Sequence, residues 1–139
     1  RRVLACDALV LASGARAHGW QASSGLACDA QGFVRIGNDL RSRSHPQIFA
    51  SGDCASLPGA RRSGVYAVRQ APVLADNLRA TLNGGRLSDY RPQRLALALL
   101  DCGNDQALLR YGPLGMAGGW CLRWKDRLDR RFVRMLQGA

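Results

Sequence analysis

The sequence predicts an α/β fold that closes with a small β-hairpin and an amphipathic helix. Three observations carry this expectation. Apolar residues fall on consecutive positions over residues 8–12 and again at Ile48, Phe49 and Ala50, as in parallel strands buried on both faces. Between residues 64 and 82 the apolar side chains recur at helical spacing. Near the C-terminus, Trp120, Trp124, Leu128, Phe132 and Met135 repeat every three or four positions, with Arg123, Arg127, Arg130 and Arg134 on the other side.

Taken in order, residues 3–12 read as a first strand, ended by the turn Ser13-Gly14-Ala15. Residues 20–26 form a short helix that Gly25 breaks. Residues 33–36 alternate as a short strand, and Asn38-Asp39 starts a polar turn followed by a loop over 41–46. Pro46 cannot donate a ladder hydrogen bond, so the next strand begins near Gln47. Residues 57–63 are a loop. The helix that follows presents Val65, Val68, Leu74, Leu78 and Leu82 inward and Asp76, Asn77 and Arg79 outward. Pro72 leaves two options: it sits in the first helical turn, or it kinks a helix that starts near Gly64. Asn83-Gly84-Gly85 supplies the C-cap. Tyr90-Arg91-Pro92 reads as a joint. Beyond it, two short apolar runs around Cys102-Gly103-Asn104-Asp105 make a hairpin, residues 112–119 a loop, and Trp120–Leu136 the basic amphipathic helix.

Composition narrows the function classes. Apolar residues make up 47% of the 139, enough for a packed core and too many for a disordered chain. No apolar run reaches the ~20 residues of a membrane span, and no secretory signal is visible. The five cysteines contain no CxxC pair and have no His cluster beside them, which disfavours a dithiol relay and a zinc site. They read as reduced thiols of a cytoplasmic protein. Basic residues number 20 against 10 acidic, for a net charge of +10; all but Lys125 of the basic residues are Arg, and every acidic one is Asp. The chain begins Arg1-Arg2-Val3 without an initiator Met and is expected to be a piece of a longer protein.

The segment Ile48-Phe49-Ala50-Ser51-Gly52-Asp53-Cys54-Ala55 carries the chemistry. An apolar run stops at a small-small-Gly-Asp corner, where open α/β sheets bind ligands. Gly52 would let the backbone approach a ligand without a Cβ in the way, and Asp53 offers an acceptor-only carboxylate suited to polyol hydroxyls.

These residues resemble a known family. The stretch Asp7-Ala8-Leu9-Val10-Leu11-Ala12-Ser13-Gly14-Ala15 is similar to the strand that returns from the pyridine-nucleotide domain in the pyridine nucleotide-disulfide oxidoreductase superfamily. The Ile48-to-Ala55 stretch resembles that family's flavin motif, and residues 64–82 resemble the helix after it. Tyr90-Arg91-Pro92-Gln93, Trp124-Lys125-Asp126-Arg127 and Asp129-Arg130-Arg131-Phe132 resemble the NADH-dehydrogenase-like branch, and within it the flavoproteins associated with selenide, water dikinase.

The resemblance implies the C-terminal part of a two-dinucleotide-domain, Rossmann-like flavoprotein. Residues 1–47 would end the pyridine-nucleotide domain, 48–85 belong to the FAD domain, and 86–139 form a hairpin-helix region. It implies FAD and NAD(P)H as cofactors, with hydride passing from nicotinamide to flavin and electrons on to an acceptor that the sequence does not identify, a quinone-like one among the options. Asp53 would bind a ribityl hydroxyl, Gly52 and the Cys54 amide would lie by the pyrophosphate, and the backbone at Val65, Tyr66 and Ala67 would face the flavin pyrimidine edge. Gln70 would add a polar contact, and Gly14 belongs to the returning strand. No side-chain acid or base is evident. No GxGxxG occurs, so the phosphate loops must come from the missing N-terminal part of the protein, without which this chain is expected to be inactive. The basic helix has three readings: packing on its own protein or a homodimer mate, lying on an anionic membrane surface, or docking to a protein or nucleic-acid partner; the alternative function for the chain is a non-catalytic assembly module with this helix as its interface. Nothing resembles a nucleic-acid-binding motif.

Overall fold

The computed structural model describes residue 3, residues 5–10 and residues 13–138. The chain divides into two compact units, residues 1–92 and 93–139. Each has its own apolar core.

In the first unit, α1 (Gly19–Ser23) leads to β1 (Val34–Arg35), which pairs in parallel with β2 (Ala55–Ser56). Between them, antiparallel bridges join Ile36 to Ser42 and Arg41 to Phe49. The core beneath these short segments holds Val34, Ile36, Leu40, Ala55, Leu57 and Tyr90. The long helix α2 (Gly64–Leu82) packs Val73 and Leu74 against it. Pro72 lies inside α2, so the helix starts at Gly64 and accommodates the lost N–H in its interior. Its end is a Schellman motif: Gly84 is left-handed at φ 67° and the Gly85 amide donates to the Ala80 carbonyl at 2.7 Å.

Three expectations are corrected here. The apolar run at 8–12 does not make a strand in its described part: Leu9 and Val10 are exposed and pair with no strand among the described residues, and two-sided burial needs neighbouring strands to supply it. Leu11 and Ala12 lie outside the described residues. The strand at 48–50 is reduced to one bridge at Phe49, although its hydrogen bonds to Leu40 and Ser42 are well formed at 3.1 and 2.8 Å. Finally, α2 is rotated from the expected face. Val65, Val68, Leu78 and Leu82 are exposed, whereas Tyr66, Gln70 and Asn77 are buried.

The second unit is an antiparallel sheet in the order β3 (Leu97–Gly103), β4 (Gln106–Tyr111), β5 (Leu114–Gly118), covered on one face by α3 (Gly119–Gln137). Asn104 and Asp105, both at positive φ, form the two-residue turn between β3 and β4. Ala107, Leu109 and Cys121 are its buried centre. The stretch expected to be a loop after Gly112 is instead the third strand. Pro113 falls in the turn, where its missing N–H costs no ladder bond, and Leu114 and Met116 pair directly across from Tyr111 and Leu109, on the same face of the sheet.

Candidate functional site

The Gly52-Asp53 corner folds as one turn of 3-10 helix, Gly52–Cys54, capped by Ser51. Gly52 adopts φ 67°, the left-handed region that glycine enters freely and other residues rarely. The helix α2 packs directly on this turn. A Cβ at Gly52 would stand 3.2 Å from the Ala67 Cβ. Glycine is thus required here by the backbone conformation and by the approach of Ala67. That differs from the ligand-clearance reason the sequence suggested.

The polar groups of the turn are distributed unevenly. The Gly52 amide donates to the Gln70 side-chain carbonyl at 2.6 Å. The i to i+3 pattern of a 3-10 turn commits the Cys54 amide to Ser51, and the Cys54 thiol also donates to the Ser51 carbonyl at 3.1 Å. The Ala55 amide closes the turn on Gly52. Asp53 projects outward from the first turn with its carboxylate exposed.

At the start of α2, Ser63 is the N-cap. Its carbonyl accepts from the amides of both Tyr66 and Ala67, at 3.0 and 3.2 Å. Among the described residues, the amides of Gly64 and Val65 have no partner. A 19-residue helix concentrates about half a positive charge on these free donors. Nothing would meet a Cβ at Gly64 within 4 Å, so the approach to them is open. The Tyr66 ring is buried at 2% exposure and belongs to the packing beside Tyr90, whose phenol burial pushes above its ordinary range, with Tyr66 adding to the effect.

The structure therefore brings Gly52, Asp53, Cys54, Val65, Tyr66, Ala67 and Gln70 into one neighbourhood, with Ala67 and Gln70 facing the turn. It does not bring Gly14 there: Gly14 has φ 96° but lies in an exposed stretch, with nothing within 4 Å of its would-be Cβ. Sequence reasoning missed Gly64, whose free amide is signalled only by the Ser63-Gly64 start of the helix. Among the described residues, no three His, Cys or Asp side chains gather to hold a metal.

Residues 1–75 match the pyridine nucleotide-disulphide oxidoreductases. The chain belongs to this family. Family members are FAD-binding oxidoreductases, some of which use NAD(P)H. The chain is 38% identical over 74 residues to the mitochondrial sulfide:quinone oxidoreductase of Schizosaccharomyces pombe, covering 52% of this chain and 16% of that protein. It is 28% identical over 105 residues to ferroptosis suppressor protein 1 of Xenopus tropicalis, covering 74% of this chain and 28% of that protein. It thus spans well under a third of either relative. The family match takes in the turn, the start of α2 and Gln70, but not β3, β4, β5 or α3.

Proposed function

We propose that the chain forms part of an FAD-dependent NAD(P)H oxidoreductase and supplies flavin contacts at the ribityl and pyrimidine positions, the Gly52 amide being spent on Gln70 and the Cys54 amide within the turn. The observation that supports this most is the pairing of an exposed carboxylate, Asp53, with the free Gly64 and Val65 amides of the helix packed on the same turn. Asp53 would accept from ribityl hydroxyls. The amides and dipole of α2 would favour negative charge on the ring. FAD, when bound, supplies the hydride and electron chemistry; this chain's residues bind and orient it. The quinone named for the fission-yeast relative supports a quinone-like acceptor. The remaining dinucleotide loops would come from further polypeptide of the same protein.

Reconstitution of the full-length protein with FAD tests the reading. Wild-type protein should bind with a visible flavin spectrum, and Asp53→Ala should raise the FAD Kd about tenfold or more, from the loss of one or two charge-assisted hydrogen bonds. A wild-type protein that stays colourless and gains no thermal stability from FAD rules the reading out.

A second reading rests on α3. From Asp126 to Gln137 every residue of the helix is exposed, with Leu128, Phe132, Met135 and Leu136 along one side and arginines along the other. This free amphipathic length suits a non-catalytic assembly surface or an anionic membrane face, and either is compatible with the flavin role.

A further inference from the structure

We propose that Gln70 is a positioning residue, whose side-chain carbonyl holds the Gly52 turn in register with the N-terminus of α2. The proposal rests on the flavin reading above and assigns Gln70 a role other than touching the cofactor.

A glycine turn has two accessible basins, φ above and below zero, of similar energy. Something must select between them if Asp53 is to point in one direction. Two contacts do so. The Gly52 N–H, which would otherwise be an unpaired donor at the start of the turn, is met by the Gln70 Oε1 at 2.6 Å. The Ala67 Cβ stands against the bare Cα from the same helix. The hydrogen bond keeps the turn from moving away from α2, and the Ala67 methyl keeps it from moving closer. Gln70 is only 3% exposed, so this bond is shielded from competing water.

The helix that carries Gln70 also carries the free amides of Gly64 and Val65. One buried hydrogen bond therefore ties the element that would hold the ribityl chain to the element that would face the ring. Loss of the bond lets Gly52 relax to its other basin, and Asp53 turns with it. The two sets of contacts on a single ligand then fall out of register, and affinity drops although every contacting residue is still present.

Gln70→Leu and Gln70→Glu in the full-length protein separate this role from the others. Glu keeps the accepting oxygen and loses the amide donor; Leu keeps neither. The FAD Kd of Gln70→Leu should rise at least tenfold, whereas Gln70→Glu should stay within about threefold of wild type. Hydrogen exchange at the Gly52 amide, read without FAD, should be slow in wild type and Gln70→Glu and fast in Gln70→Leu. Equal loss of affinity in both variants would overturn the proposal, because it would place the amide donor on the flavin itself. Unchanged affinity in Gln70→Leu would overturn it as well. If Gln70→Leu does not fold, a Gln70→Glu protein that loses FAD or leaves the Gly52 amide fast-exchanging is overturning on its own. Failure of wild-type protein to bind FAD would refute the flavin reading, while the exchange arm would still report whether Gln70 holds the turn.

Discussion

Asn77 is 1% exposed, and both amide hydrogens and the carbonyl oxygen of its side chain are engaged in structural bonds. Its Nδ2 donates to the carbonyls of Asp39 and Ser88 at 2.8 and 2.9 Å, and its Oδ1 accepts from the Ser88 amide at 2.8 Å. One side chain on α2 thereby fastens the turn at Asp39 and the segment that follows the helix. Replacing it with Leu would leave two carbonyls and one amide of this part-buried site without these partners. We expect Asn77→Leu to lose about 2–4 kcal/mol in urea unfolding; an unshifted midpoint would show that water takes over these bonds. The apolar spacing of α2 hid this residue. Val65, Val68, Leu78 and Leu82 trace a plausible stripe, yet Leu82 is 86% exposed, and the face that docks is built on Tyr66, Gln70 and Asn77. Periodicity weighs side chains by apolarity, so a face whose anchors are amides gives it no signal. For the same reason Gln70 was legible as a polar residue near the corner, while its commitment to the Gly52 amide was not.

Between elements, the loop before α2 is clamped to the turn before β1. Arg62 pairs with Asp29 at 2.7 Å, and its guanidinium lies 3.6 Å above the centre of the buried Phe33 ring. Asp29 also accepts from the amides of Gln31 and Phe33 at 2.9 and 3.0 Å. Burial works to raise the Asp29 pKa, but the hydrogen bonds from Ser56, Phe33 and Gln31, with the Arg62 charge, together outweigh it and hold the carboxyl below its ordinary 3.8. A depressed folded pKa gives stability that is present above the unfolded value and is lost as pH falls through the folded one. Arg62→Gln should therefore cost about 1 kcal/mol at neutral pH, and the difference from wild type should shrink below about pH 3.8. A difference that stays constant across that range would assign the whole effect to the Phe33 contact. Local turn chemistry made other elements legible. Asn104-Asp105 and Gly84 are where the sequence placed a hairpin turn and a helix end, because left-handed backbone positions select for those residues. The strand β5 was illegible because three of its five residues are Gly or Ala, which mark loops as readily as strands.

On the scale of the whole chain, the two units draw on different information. The family match lies in the first, with the candidate site; the second carries the free part of α3. The fold class was readable from the patterns of apolar residues, but the first strand was not, because a strand exists only with the neighbours it pairs to. The net charge of +10 sits partly on α3, where Arg123, Arg127, Arg130, Arg131 and Arg134 outnumber Asp126 and Asp129. No helix among the described residues is long and apolar enough to cross a membrane. A surface-lying α3 would make full-length protein co-sediment with phosphatidylserine-containing vesicles, with binding that weakens as salt rises from about 0.1 to 1 M. Binding that is absent at every salt concentration would leave only the protein-docking use of the helix.

The meeting of Gly52 and Ala67 has a consequence for change in this chain. Two positions distant in sequence share room for a single methyl group. Their sizes are therefore set jointly: a larger residue at one is admissible only where the other gives up volume, and neither can be varied as though it were independent. A corner that looks like an isolated glycine in the sequence is half of a packing pair, and its tolerance to substitution is written in the helix.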